Sequence, residues 1–160
     1  MIDVLESART PILLAALVAS GLQAGTYYTW ASGVMPGLAD TDDATFVSTM
    51  QHVNVAIVNP VFLATFLGAP ALAAVGVAAA SGSARPWVIA GLGLAALTVL
   101  TTAAFNIPLN DALAAVDASA DAGTLHAARE AFEDSWVRWN VVRTLTSTGA
   151  LACLGWAVSR

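Results

Sequence analysis

ATFVSTMQHVNVAIVNPVFLATFLGAPALAAVGVAAASGSA, residues 44–84, runs for 41 residues without an Asp, Glu, Lys or Arg. Residues 11–39 and 86–110 are likewise free of these four types, for 29 and 25 residues. An uncharged apolar run of about 18 or more residues is long enough to cross a hydrocarbon layer about 30 Å thick. Backbone polar groups in that layer must be paired within the segment, which selects helices over open sheet. The sequence therefore predicts an all-α integral membrane protein: one transmembrane domain over 1–160, a four-helix bundle with short extra helices in two long loops.

Composition agrees. The chain is 58% hydrophobic and 11% charged, against roughly 25% charged in soluble domains. Its 11 acids face 6 arginines and no lysine. That balance argues against nucleic acid, whose phosphates require clustered cations. A single cysteine, Cys153, rules out a disulfide framework or a cysteine-rich metal site. The head MIDVLESAR is as acidic as it is basic, unlike the positive start of a secretory signal, so the run behind it reads as a retained helix.

Breakers place the spans. Met35-Pro36-Gly37 ends a first span at about 10–32. Pro60 sets a break near Asn59, separating a polar-faced helix over 44–58 from a span at 59–80. A third span, 87–105, stops at Asn106-Ile107-Pro108, and a fourth covers 136–158. The polar segment 107–135 reads as two short helices. Four spans put both termini on one side. Arginines tie across the two sides, and the shortness of the terminal-side segments tilts the reading towards cytoplasmic termini in a plasma membrane. Alanine-rich spans suit close helix packing, within one chain or between copies in a homo-oligomer.

Polar residues at membrane depth are the functional clues. At about 100° per residue, Ser48, His52 and Asn59 share one helical face, with Gln51 and Asn54 at its margins. Such a face can lock helices together, or it can let His52 move protons near its ordinary pKa of about 6.5. Asn106, Asn110 and Asp111 surround Pro108, where they can cap a helix or supply a base and an oxyanion donor. Trp136, Trp139, Asn140, Arg143 and Ser147 form a stripe on the last span. Arg143 lies about one turn inside, where an unpaired charge is costly, so it needs Asp111, Glu133 or an anionic ligand. Tyr27 and Trp30 share a face of the first span and can line the same chamber or sit at the interface. With His126 in a polar loop as the only other histidine, a metal held by His52 has a thin ligand set.

The segments YYTWASGVMPGL (27–38), FVSTMQHVNVAIVNPVF (46–62), AFNIPLNDALAAV (104–116) and WVRWNVVRTLTS (136–147) resemble the anthrone oxygenase family of small four-span membrane proteins. The patterns MQ-x-x-N, N-x-P-x-N and W-x-x-WN-x-x-R carry the resemblance. They fall on Gln51, Asn54, Asn106, Asn110, Trp136, Trp139, Asn140 and Arg143. The resemblance implies oxidation of a polyketide anthrone by O2 without a dedicated organic cofactor. On that reading His52 or Asp111 is the base, while Asn106, Asn140 and Arg143 stabilise the enolate. Trp136 and Trp139 stack on its rings, and Gln51, Asn54, Asn110, Tyr27 and Trp30 complete the binding site. Two rival classes stay open: a non-catalytic membrane module that binds a hydrophobic aromatic ligand or a partner helix, and a metal- or haem-binding membrane protein.

Overall fold

The computed structural model describes residues 8–160, so residues 1–7 of the head, on which the signal-peptide reading rests, lie outside the described residues. Five helices follow. They are α1 (Arg9–Ala39), α2 (Asp43–Ala56), α3 (Pro60–Ala79), α4 (Arg85–Ala114) and α5 (Ala122–Val158). All but α2 are long and apolar enough to cross a membrane. The spanning helices form a ring in which α1 and α4 each pack against both α3 and α5. Helix α2 lies across one end, against α5 and the last turns of α4.

The radial distribution of side chains is the reverse of a water-soluble protein. Ser20, Gln23, Thr98, Thr101, Asn106, Asn140, Arg143, Thr146 and Ser147 are buried, whereas Val18, Leu22, Leu67, Leu100 and Leu145 face outward. In water the exposed leucines would forfeit the burial that drives folding. In a bilayer the hydrocarbon solvates them, and the polar groups must find each other. Several do: Gln23 Nε2 donates to Thr65 Oγ1 at 2.7 Å, and the Thr98 and Thr146 hydroxyls meet at 2.7 Å. Apolar clusters close the seam at either end. Leu13, Ala73, Val88 and Leu154 pack at the terminal end, and Met35, Phe46, Met50, Leu113, Phe132 and Trp136 at the α2 end.

Three helix boundaries differ from the sequence expectation. Met35-Pro36-Gly37 does not end α1, and Asn106-Ile107-Pro108 does not end α4. In each helix one turn widens to π geometry just ahead of the proline, at Trp30–Val34 and Thr102–Asn106. The Met35 N–H reaches the Trp30 carbonyl and the Ile107 N–H reaches that of Thr102. A proline clashes with the carbonyl four residues back and leaves it without a donor. The extra residue in a π turn shifts that register, and the helix continues. The last span does not begin near Trp136 either. Helix α5 runs 37 residues, about 55 Å, so its first turns project beyond a 30 Å core and absorb the second of the expected short helices. The break at Asn59 is where the sequence places it: Asn59 Oδ1 accepts from the Val61 and Phe62 amides and caps α3.

Close approach fixes the terminal half of the bundle. A Cβ on Gly76 would lie 2.8 Å from Leu13 Cδ2, and one on Gly91 would lie 3.0 Å from Leu154 Cγ. Gly76→Val or Gly91→Val is expected to cost about 1–3 kcal/mol by overpacking, read as a lowered melting temperature in detergent.

Two extramembrane caps titrate. Asp42 accepts from the Thr45 amide and hydroxyl, and Asp121 from the Thr124 hydroxyl and the Gly123 and Thr124 amides. These bonds hold both carboxyls below the usual carboxylate range. A depressed folded pKa stabilises above the unfolded value of about 3.9 and loses that effect as pH falls through the folded one. Amide exchange at Thr45 and Thr124 should therefore accelerate, relative to the intrinsic rate, on acidification below about pH 4. Asp42→Asn and Asp121→Asn should keep the caps and abolish that dependence.

Candidate functional site

The helices enclose a cavity of about 200 Å³ at the α2 end of the ring. Helix α1 contributes Thr26, Tyr27 and Trp30; α2 and its exit contribute Val53, Asn54, Ile57 and Val58. Phe62, Leu63 and Phe66 come from α3, Thr102, Ile107 and Asn110 from α4, and Trp136 and Arg143 from α5. Both π turns border it, since Trp30 and Thr102 open them. Helix α3 has 20 residues, about 30 Å, so its start at Pro60 marks one edge of the hydrocarbon. The chamber, level with Phe62 and Phe66, lies just inside that edge.

Among the described residues Arg143 is the only charged side chain on the wall. It is 7% exposed, and among the described residues no carboxylate lies within ion-pair distance of it. Its Cζ sits 4.6 Å from the Tyr27 ring centroid and 5.1 Å from that of Trp136. A desolvated cation over an aromatic face gains roughly 2 kcal/mol, which offsets part of its burial. Nη2 donates to Asn140 Oδ1 at 2.9 Å, and Asn140 Nδ2 donates to the Tyr27 carbonyl at 3.1 Å. Asn140 thereby ties the cation to the ring that covers it. Arg143 Nε and Asn54 Nδ2 are buried donors without a protein acceptor.

Trp136 is fixed from two sides. Its Nε1 donates to Asn110 Oδ1 at 2.9 Å, and its ring lies 5.3 Å from that of Trp30. Behind the wall the fully buried Asn106 donates through Nδ2 to the Trp136 carbonyl at 3.4 Å, while its Oδ1 has no donor. Asn106, Asn110, Trp136, Asn140 and Arg143 thus form one connected cluster with Tyr27, Trp30 and Asn54 around it.

Other candidates lie apart. His52 is exposed on the outer face of α2, its Nδ1 2.7 Å from the Ser48 carbonyl. Asp111 is exposed on α4 and touches neither Arg143 nor the cavity. Glu133 is bound to Arg129 Nε at 2.6 Å, so it does not pair with Arg143. Trp139 stacks on Phe105 at 3.6 Å on the flank of the bundle rather than in the chamber. Gln51 is a brace, with Nε2 donating to the Leu113 and Val116 carbonyls at 2.8 and 2.9 Å. These bonds tie the Leu113 carbonyl in the last turn of α4 and the Val116 carbonyl just beyond it to α2. Among the described residues no three His, Cys, Asp or Glu side chains gather where they could share a metal ion.

Sequence reasoning passed over Thr102, Phe62 and Phe66. Their only signal is helical spacing of Phe62 and Phe66 within an uncharged span. It also passed over Arg129, which donates to the Ala39 and Thr41 carbonyls and to Asp43, and covers Phe46 at 4.6 Å. This residue fastens the projecting half of α5 to the end of α1.

A membrane-embedded helix bundle with one buried cation in an aromatic chamber defines the class. The sequence model of the anthrone oxygenase family matches residues 48–153, more than half of the chain, and the chain belongs to that family. Neither the curated proteins nor the solved structures provide a match. The matched stretch contains Asn54, Asn106, Asn110, Trp136, Asn140 and Arg143, while Tyr27 and Trp30 precede it.

Asn140→Leu is expected to leave Arg143 Nη2 without its acceptor, at a cost of about 1–3 kcal/mol, measurable as a fall in melting temperature. Trp136→Leu should abolish uptake of a flat aromatic probe, followed by tryptophan fluorescence, whereas Trp139→Leu should leave it intact.

Proposed function

We propose that the chamber binds a flat, enolisable aromatic ketone of the anthrone type as its enolate and promotes its oxidation by O2. The observation that carries this reading is Arg143: a buried guanidinium without an acidic partner, roofed by two aromatic rings, at the wall of an apolar cavity. A fixed cation in a water-poor site stabilises an oxyanion far better than water does. Family membership supports the chemistry, and the aromatic and aliphatic lining of the cavity supports the ligand class.

The reaction balances without a further redox partner. The enolate gives one electron to O2, forming superoxide and a carbon radical. These combine into a C–O bond, and the peroxide takes up a proton. Loss of the second C–H proton with cleavage of the O–O bond leaves a ketone and hydroxide, which takes up the proton. A methylene and O2 thus become a carbonyl and water. Arg143 holds the ring oxyanion, Asn140 holds Arg143, and the Trp136 and Tyr27 rings flank the ligand.

Protein purified into nanodiscs should consume O2 with an anthrone and release the quinone in equal amount. Arg143→Gln should lower kcat/KM by about 10²–10³-fold, the size of effect expected when one oxyanion contact is removed. Binding without O2 uptake would defeat the oxygenase reading in favour of a binding module.

A further inference from the structure

The residues that could remove a proton from the ligand are not where the ligand would sit. Titratable and charged groups facing Arg143 can be taken helix by helix. Helix α1 presents Tyr27, α2 presents Asn54 with Val53, and α3 presents Phe62, Leu63 and Phe66. Helix α4 presents Thr102, Ile107 and Asn110, and α5 presents Trp136 beside Arg143 itself. Among the described residues that wall holds one cation, one phenol and no carboxylate or imidazole. A phenol ionises near pH 10 in water, so at neutral pH Tyr27 is a proton donor. His52 and Asp111 both face away, into solvent or headgroups.

The mouth of the chamber, by contrast, is open to a proton acceptor. Val58 on its rim is 66% exposed and Ile107 is 46% exposed, at the level where α3 enters the membrane. Val58 precedes Pro60 and so lies on the aqueous side of the hydrocarbon edge that the start of α3 marks, where a ligand can ionise before it moves onto Arg143.

We infer that the chamber takes its ligand as a monoanion already ionised by solvent: a flat aromatic enol or phenol, rather than a neutral ketone deprotonated by a protein base. The inference rests on the proposed site and names its substrate class. Ionisation then belongs to the ligand, and the cavity selects the charged form by matching it to a single fixed cation.

Two measurements test this separately from turnover. Monohydroxyanthraquinones of differing acidity report their ionisation by visible absorption and carry no oxidisable methylene. Bound to the protein, each should ionise at least one pH unit below its free pKa, equivalent to about tenfold tighter binding of the anion. The shift should persist in Arg143→Lys and vanish in Arg143→Gln. With oxidisable anthrones bearing different substituents, the acid limb of kcat/KM should follow the free pKa of each substrate. It should do so in wild type, His52→Ala, Asp111→Asn and Tyr27→Phe, whatever the rate of the last. A limb fixed at one pH across the series, a limb erased by any of those three substitutions, or a dye bound in neutral form would overturn the inference. A dye shift without O2 uptake would uphold it and remove the oxygenase reading. O2 uptake with a fixed limb would do the reverse.

Discussion

The packing of the α2 end depends on burying one guanidinium where hydrocarbon is the solvent. An unpaired charge at membrane depth is expensive, and the protein lessens the cost with π electrons and an amide in place of a carboxylate. Tyr27 and Trp136 cover Arg143, and Asn140 binds it. Each of these is then held in turn: Asn140 by the Tyr27 carbonyl, Trp136 by Asn110, and the Trp136 carbonyl by Asn106. A carboxylate partner would have neutralised the cation and closed the site to anions. Aromatic faces stabilise it while leaving its charge available.

The two π turns have the same logic at the level of backbone. Pro36 and Pro108 would ordinarily stop their helices, and a stop at Pro108 would take Asn110 off the wall of the chamber. Widening one turn in α1 and one in α4 lets both helices run on past the cavity. The π segments place Trp30 and Thr102 on its wall and Asn106 behind it. Such bulges recur at functional sites because they turn side chains to angles a regular helix does not offer.

The architecture was legible in the sequence because hydrocarbon is an exacting solvent. Runs of 29, 41 and 25 uncharged residues admit few alternatives to spanning helices. The break at Asn59 was legible for a local reason, since Pro60 lacks the amide hydrogen that a continuing helix needs. The continuation of α1 and α4 through their prolines was not, because π turns carry no compositional mark. Arg143, Asn140, Trp136 and Asn110 were legible as a stripe of polar and aromatic residues at helical spacing. The same periodicity could not separate Trp139 from Trp136. Helical phase about one axis does not say where the neighbouring helices stand, and Phe105 claimed the Trp139 ring. His52 stood out by sharing a helical face with Ser48 and Asn59, and Asp111 by its place beside Pro108. Their exposure follows from α2 lying across the end of the ring and from the outward face of the last turns of α4, both tertiary facts. Arg129 reads in sequence as one more charge in a polar loop. Its role appears only when α5 is seen to extend far enough to reach Ala39 and Thr41.

On the proposed function, the exposed rim at Val58 and Ile107 bears on how a ligand would reach the chamber. A greasy, flat molecule dissolves far better in acyl chains than in buffer, so on that reading the pool feeding the chamber would be two-dimensional. Apparent saturation then scales with the mole fraction of ligand in the surrounding lipid, and adding empty vesicles dilutes it without changing its bulk concentration. For such a protein the bilayer is the reservoir as well as the scaffold.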